Sequence, residues 1–305
     1  MAESELTVAE WIERTAAQFE AAGLHFGHGT DNPRDEAAWL VLHALAAPLD
    51  GSFLDWGRVV SAVEAEEVRR LAEARCNSGQ PLAYLTGTAH FAGLEFEVTP
   101  DVLVPRSPIA ELILDEFRPW ADPDRLHRVL DLCTGSACIA VAMAVQLPSA
   151  QVDASDISAA ALRVAARNVE RHGVQERVCL LQSDLFQSIP ACRYDLIVAN
   201  PPYVAQGDLP DLPREYQAEP GLGLASGADG LEAVLEILRT APRFLALDGI
   251  LVCEVGESEE RLAAALPRVP FTWLEFIHGG SGVFVLTRAE LEGAQSALDA
   301  LARER

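Results

Sequence analysis

"RVLDLCTGSACIAVAMAVQLPSAQVDASD", residues 128–156, changes its apolar period twice. RVLDL is a short apolar run of strand length, ACIAVAMAVQL is long enough for a buried helix, and AQVDASD returns to strand character. A strand, a helix and a second strand joined this tightly predict two parallel strands with a crossover helix on one face. The pattern continues downstream. SAAALRVAARNVERHG reads as a helix, RVCLLQSD and YDLIVAN as strands, GLEAVLEILRTAPRFL as a helix and GILVCEVG as a strand. The expectation is an α/β fold, a parallel sheet with helices on both faces. The end differs. FTWLEFIH and VFVLTRAEL read as two strands joined by the short turn GGSG, so they should pair antiparallel at the edge of the sheet.

Upstream, residues 6 to about 85 read as helical. TVAEWIERTAAQFEAAG places Val8, Trp11, Ile12, Ala16 and Phe19 on one face and stops at Gly23, and DEAAWLVLHALAA and AVEAEEVRRLAEARCNSG repeat the pattern. Between the two regions, HFAGLEFEVTPDVLVPR alternates at Leu94, Phe96 and Val98, turns at TPD and resumes at Val102, Leu103 and Val104, which predicts a β-hairpin. Ser107 then caps a helix opened by Pro108. The expected division is a helical substrate-recognition domain over 1–88, a hairpin linker over 89–106 and a catalytic domain over 107–305.

The 305 residues carry 23 Lys+Arg against 46 Asp+Glu, a formal charge of −23. So negative a surface repels phosphate backbones and attracts basic proteins. The six cysteines form no CxxC pair, so neither a disulfide framework nor a zinc site is suggested. The start, MAESELTVAEWIER, lacks a basic segment followed by an apolar one, and no apolar run is long enough for a membrane span. These features predict a cytoplasmic protein.

Three strand ends then fall into order. Asp131 ends the first strand and leads into the small-residue loop Cys133, Thr134, Gly135, Ser136, Ala137 before a helix. Such a loop lets the backbone and the helix start approach a ligand closely. Asp156 ends the second strand, where a carboxylate accepts from both ribose hydroxyls of an adenosine ligand. Asp184, followed by Leu185, ends the third and is placed to accept from an adenine amino group. The G-x-G-x-x-G dinucleotide pattern is absent, so a mononucleoside such as S-adenosylmethionine fits better than NAD. No metal is implied.

The fourth strand, in YDLIVANPPYVA (residues 194–205), stops in Asn200-Pro201-Pro202-Tyr203. Prolines cannot continue a central ladder, so a stiff turn holds Asn200 and Tyr203 in fixed relation. This segment resembles the motif of S-adenosylmethionine-dependent methyltransferases that modify a nitrogen conjugated to a π-system. The resemblance implies that the Asn200 side-chain oxygen and the Pro201 carbonyl accept the two N–H bonds and that Tyr203 stacks on the planar group. It also implies that Asn200 borders the cofactor pocket.

Across nearly its whole length the chain resembles the protein-glutamine N5-methyltransferase family. The similarity lies in the helical start, FAGLEFEV and VLVPR, VLDLCTGS, SDLF, NPPYV and EPGLGLASGADGL. It implies a class I methyltransferase fold, Rossmann-like, with a seven-stranded sheet and an antiparallel last strand. LVPRSPIAELI and FTWLEFIHGGSGVFVLTRAEL are similar to the branch acting on a glutamine of large-subunit ribosomal protein L3. Peptide chain release factors, and then adenine amino groups of nucleic acid, are the alternative substrates. Ala137 departs from the family's usual glycine, which raises the question of whether its methyl crowds the cofactor's carboxylate end.

Overall fold

The protein is described here by a computed structural model covering residues 6–304. The first five residues of the amino-terminal segment read above lie outside the described residues. Two compact units emerge. Among the described residues, one comprises residues 6–100, 104–106 and 212–218, and the other residues 101–103, 107–211 and 219–304. This differs from the expected division at 88 and 106. The hairpin groups with the helices instead of standing between two domains, and seven residues that follow the Asn-Pro-Pro-Tyr turn group there too.

The helical unit holds α1 (Val8–Ala21), α2 (Pro33–Ala44), α3 (Ala62–Ser78) and α4 (Leu82–Thr86). Each long helix starts on a sequence signal. Thr7 with Glu10 and Ser61 with Glu64 form reciprocal capping boxes, and Asn32 caps α2 ahead of Pro33. Val8, Trp11, Ile12 and Phe19 bury against Leu40, Val41, Val68 and Leu71. Strands β1 (Thr88–Phe91) and β2 (Leu94–Glu97) pair antiparallel around Ala92-Gly93, whose φ angles of 48° and 76° make the turn. The hairpin therefore closes earlier than the expected TPD turn, and Val102 to Val104 form no strand. Alanine in a left-handed turn position gives no sequence signal, whereas the chain does turn at Pro100-Asp101 but pairs no strands across it.

Arg75 is buried in this unit. Its Nε donates to Glu36 at 2.6 Å and its Nη1 to Glu215 at 3.0 Å, while Nη2 donates to the carbonyl of His25. Glu215 lies on α8 (Arg214–Gln217), so a buried ion triad holds the 212–218 excursion.

The second unit is built on a seven-stranded sheet. In chain order it contains α5 (Ile109–Leu114), β3 (Arg128–Leu132), α6 (Cys138–Gln146), β4 (Gln151–Asp156), α7 (Ala159–Arg171), β5 (Val178–Gln182) and β6 (Tyr194–Ala199). There follow α9 (Gly221–Leu224), α10 (Glu232–Thr240), β7 (Leu245–Glu254), α11 (Glu259–Ala265), β8 (Thr272–Trp273), β9 (Val283–Thr287) and α12 (Arg288–Glu304). The strand order is β5-β4-β3-β6-β7-β9-β8. The first five strands run parallel, and β9 runs antiparallel to both β7 and β8. This is the expected class I methyltransferase fold. Leu130, Leu132, Ile197, Ala199, Leu251 and Phe284 are buried on the sheet.

Two boundaries differ from the sequence reading. The last strand ends at Thr287, because Thr-Arg-Ala-Glu is itself a capping box. Thr287 N and Oγ donate to the Glu290 carboxylate, and the Thr287 hydroxyl accepts from Glu290 N. Helix α12 therefore starts at Arg288, and buries Leu291, Ala294 and Leu298. Helix α5 starts at Ile109, one residue later than expected, with the Ser107 hydroxyl accepting from Ile109 N at 3.1 Å. No helix among the described residues is long and apolar enough to cross a membrane.

Candidate active site

Register brings the candidate residues to one edge. Leu132 pairs with Ser155 on one side and with Ala199 on the other, so Cys133, Asp156 and Asn200 are each the next residue beyond a paired row. Neighbouring strands lie about 4.8 Å apart, so these tips form one row where open α/β sheets bind ligands.

The loop after β3 is folded by its own small residues. Cys133, Gly135 and Ala137 all have positive φ, at 59°, 54° and 63°. Left-handed residues in this alternation curl the loop tightly, and its Thr134, Gly135 and Ala137 amides are bonded to protein acceptors. The loop is pinned from both flanks. Gly135 N donates to Asp156 Oδ2 at 2.9 Å, Thr134 N to the Ser155 carbonyl, and the buried Asn168 amide of α7 to the Ser136 carbonyl at 3.0 Å. Sequence reading missed Asn168, which carries no motif and lies far along the chain from the loop. A Cβ on Gly135 would meet nothing within 4 Å, so the space before it is open to a ligand.

Asp131 is buried at the end of β3. Its Oδ2 accepts from Thr134 Oγ at 2.5 Å and from Ala140 N at 3.2 Å, while Oδ1 is buried with no hydrogen-bond partner among the described residues. Burial pushes its pKa up to about 7 against those two donors. A buried, unpaired carboxylate oxygen is costly, and a ligand donor or cation would relieve that cost. Asp156 is also raised by burial, although the amides of Ser158 and Gly135 pull the other way. Each of its oxygens keeps a second lone pair for a ligand hydroxyl. Asp184 is exposed and holds Gln187 at 2.8 Å, and Leu185 follows with a φ of 44°. Burial, then the carboxylates of Asp156, Asp131 and Asp184, pushes the Cys133 thiol far up. Cys138 is pushed up to about 12 by burial and Asp131. Neither thiol offers a thiolate to compete for an electrophile.

Ala137 is fully buried and its N–H donates to the Thr134 carbonyl. The φ of 63° places its departure from glycine first in the backbone, where a Cβ in the left-handed region costs about 1 kcal/mol.

The turn after β6 is built differently. The Asn200 side-chain amide and the Pro201 carbonyl have no partner among the described residues. Tyr203 is held from several places. Its phenol donates to Glu254 Oε1 at 3.2 Å, and its carbonyl accepts from Ser258 Oγ at 2.8 Å. Its ring edge occupies a niche left by Gly256, where a Cβ would stand 2.6 Å from Cε2. Gly282 in turn lies on the Gly256 backbone, since its Cβ would stand 2.2 Å from the Gly256 oxygen. The GGSG turn thus does more than join two strands: it lets two backbones approach beneath Tyr203. Val204 N donates to the Leu224 carbonyl and Ser226 N to the Val204 carbonyl, which fixes the chain beyond the turn. Glu254, Gly256, Ser258 and Gly282 were not singled out from sequence, because each acts across a long chain separation.

Residues 110–212 match the methyltransferase small domain family, and residues 10–87 match the PrmC N-terminal domain. The chain is 48% identical to the ribosomal protein uL3 glutamine methyltransferase of Xanthomonas campestris pv. campestris over 300 residues, 98% of this chain and 97% of that one. It is also 48% identical to the protein of the same name from Neisseria meningitidis serogroup B over 298 residues, 96% and 97% of the two chains. The chain belongs to the uL3 glutamine methyltransferase family. The match spans both compact units, so the helical unit belongs to the family architecture as much as the sheet does.

Proposed function

We propose that the chain transfers a methyl group from S-adenosylmethionine to the side-chain nitrogen of a glutamine in ribosomal protein uL3, the L3 protein expected from the sequence. The observation that carries this reading is the pair of free acceptors, Asn200 Oδ1 and the Pro201 carbonyl, at the tip of β6 beside the loop of β3. A carboxamide nitrogen has two hydrogens and a lone pair delocalised into its carbonyl. Two acceptors fixed by a proline turn suit those two hydrogens, and holding both aims the lone pair out of the clamp. Tyr203 offers a flat surface for the carboxamide plane.

S-adenosylmethionine, when bound, supplies a methyl group on a positively charged sulfur that is already a good leaving group. The unpaired Asp131 Oδ1 and the loop over Cys133, Thr134, Gly135, Ser136 and Ala137 suit its amino-acid end. Asp156 suits the ribose hydroxyls, and Asp184 with Leu185 the adenine. As the nitrogen gains its methyl it becomes cationic, and a proton held at Asn200 Oδ1 or the Pro201 carbonyl becomes acidic enough to pass to water. No strong base is required. Pro202 keeps the turn stiff.

Choice of substrate follows the near-complete likeness to uL3 enzymes and the −23 charge, which favours a basic protein over nucleic acid. The test is to offer labelled S-adenosylmethionine with uL3, a release factor and total RNA in parallel, and to map the label by mass spectrometry. One methyl on a glutamine side chain of uL3 is expected. Preferential labelling of the release factor, or of adenine, would overturn the assignment.

A further inference from the structure

Three alternate residues leaving β7, Glu254, Gly256 and Ser258, each touch Tyr203: the first at its phenol, the second at its ring edge, the third at its carbonyl. Glu254 lies one residue past the Ala199–Cys253 pair and so stands level with Asn200. It is 5% exposed, a placement in which a carboxylate is costly unless its oxygens are hydrogen-bonded. They are shared between two hydroxyls. Oε1 accepts from Tyr203 at 3.2 Å and Oε2 from Ser107 Oγ at 2.5 Å. The Ser107 oxygen also accepts from Ile109 N, which leaves its own hydrogen to point at Glu254. Ile109 N donates to Ser107, and Ser107 and the Tyr203 phenol both donate to Glu254, so one carboxylate ties the start of α5 to the Tyr203 ring.

We infer that Glu254 is a positioning residue for methyl transfer, fixing the Tyr203 ring beside Asn200 through its phenol, with Ser107 fixing the carboxylate. The inference rests on the proposed role of the Asn200 to Tyr203 clamp. A tyrosine side chain otherwise swings about χ1 and χ2, and stacking on a carboxamide needs one setting of both. The niche at Gly256 limits the ring's tilt, and the phenol bond stops it leaving the niche.

A mutant cycle on the full-length protein with uL3 as substrate separates this role from mere support of α5. Tyr203→Phe removes the phenol and keeps the ring, while Glu254→Gln keeps the shape and removes the charge. Each should lower kcat about tenfold, as loss of alignment does, and leave the dissociation constant for S-adenosylmethionine within about twofold. The double variant should be no slower than Tyr203→Phe alone, since Glu254 has then lost the group it acts through. Ser107→Ala should lower kcat several-fold and Ser107→Thr, which keeps the hydroxyl, should restore it.

Losses that multiply in the double variant, or wild-type kcat in Glu254→Gln, would overturn the inference. Should Glu254→Gln fail to fold, the same cycle run with Ser107→Ala and Tyr203→Phe decides by the same rule. The clamp reading fails separately, by full turnover in Asn200→Ala, whatever the cycle gives.

Discussion

The loop after β3 and the turn after β6 leave neighbouring strands at the same level of the sheet, and they are held in opposite ways. Cys133 to Ala137 spend many of their polar groups directly on Asp131, on one another and on the adjacent β4 and α7. Thr134 bonds Asp131, Gly135 bonds Asp156, and Ala137 bonds Thr134. Asn200 and Pro201 keep their acceptors open, and the stiffness of their turn comes from remote residues, through Tyr203 to Glu254, Gly256 and Ser258 and on to Gly282. A loop that cradles a cofactor can spend its polar groups on its neighbours β4 and α7, because its task is shape. A clamp that must present a reacting nitrogen needs unused acceptors, so its rigidity has to be imported. That difference makes four predictions.

The largest effect should fall on the open acceptor. Asn200→Ala should lower kcat on the order of a thousandfold, since its bond to the amide strengthens as the nitrogen becomes cationic. Titration calorimetry should find S-adenosylmethionine affinity nearly intact. Equal losses in kcat and cofactor affinity would erase the distinction between the two loops.

Next comes the imported rigidity. In Gly282→Ala the new methyl would meet the Gly256 backbone at 2.2 Å, at a φ of 72°. The expected cost is about 3 kcal/mol or more of unfolding free energy. Turnover should fall with it as Gly256 and Tyr203 shift. A chemical denaturation curve unchanged from wild type would remove the glycine stack from the account.

The third prediction concerns the cofactor loop and has a sign. Asp131 has a folded-state pKa of about 7 against an ordinary 3.8, so the fold prefers it protonated. Its contribution to stability is fully present below pH 4 and is lost as pH rises through 7. Asp131→Asn should therefore stabilise the ligand-free protein on the order of 2 kcal/mol at pH 8, and much less at pH 4. Thermal unfolding at the two pH values reads the difference. A variant less stable than wild type at pH 8 would contradict the buried, unpaired oxygen.

The smallest effect is expected at Ala137. Ala137→Gly should relieve the left-handed strain and add about 1 kcal/mol of stability. An unfolding midpoint below that of wild type would show the methyl to be worth more as packing than it costs as strain.

The same contrast explains how much could be read from sequence. The parallel sheet, its order of strands and helices, and the loop of β3 were legible because their signals are local: apolar period, strand-end acids and small residues in short succession. Asn-Pro-Pro-Tyr was legible as a motif, yet its supports were not. No motif marks Glu254, Gly256 or Gly282, because what they touch lies elsewhere along the chain. Local signals also competed with one another. TPD reads as the hairpin turn although the strands pair around Ala92-Gly93, and the apolar run of the last strand hides the capping box at Thr287. Residues 212–218 grouped with the helices through Arg75 and Glu215, a buried charge pairing with no local pattern.

The most direct measurement is a crystal structure of the protein with S-adenosylhomocysteine and a glutamine peptide from uL3. The clamp predicts the glutamine nitrogen at about 2.9 Å from both Asn200 Oδ1 and the Pro201 carbonyl, with the carboxamide plane against the Tyr203 ring. A nitrogen bonded to other groups, or a Tyr203 ring lying between Asn200 and the peptide, would contradict it.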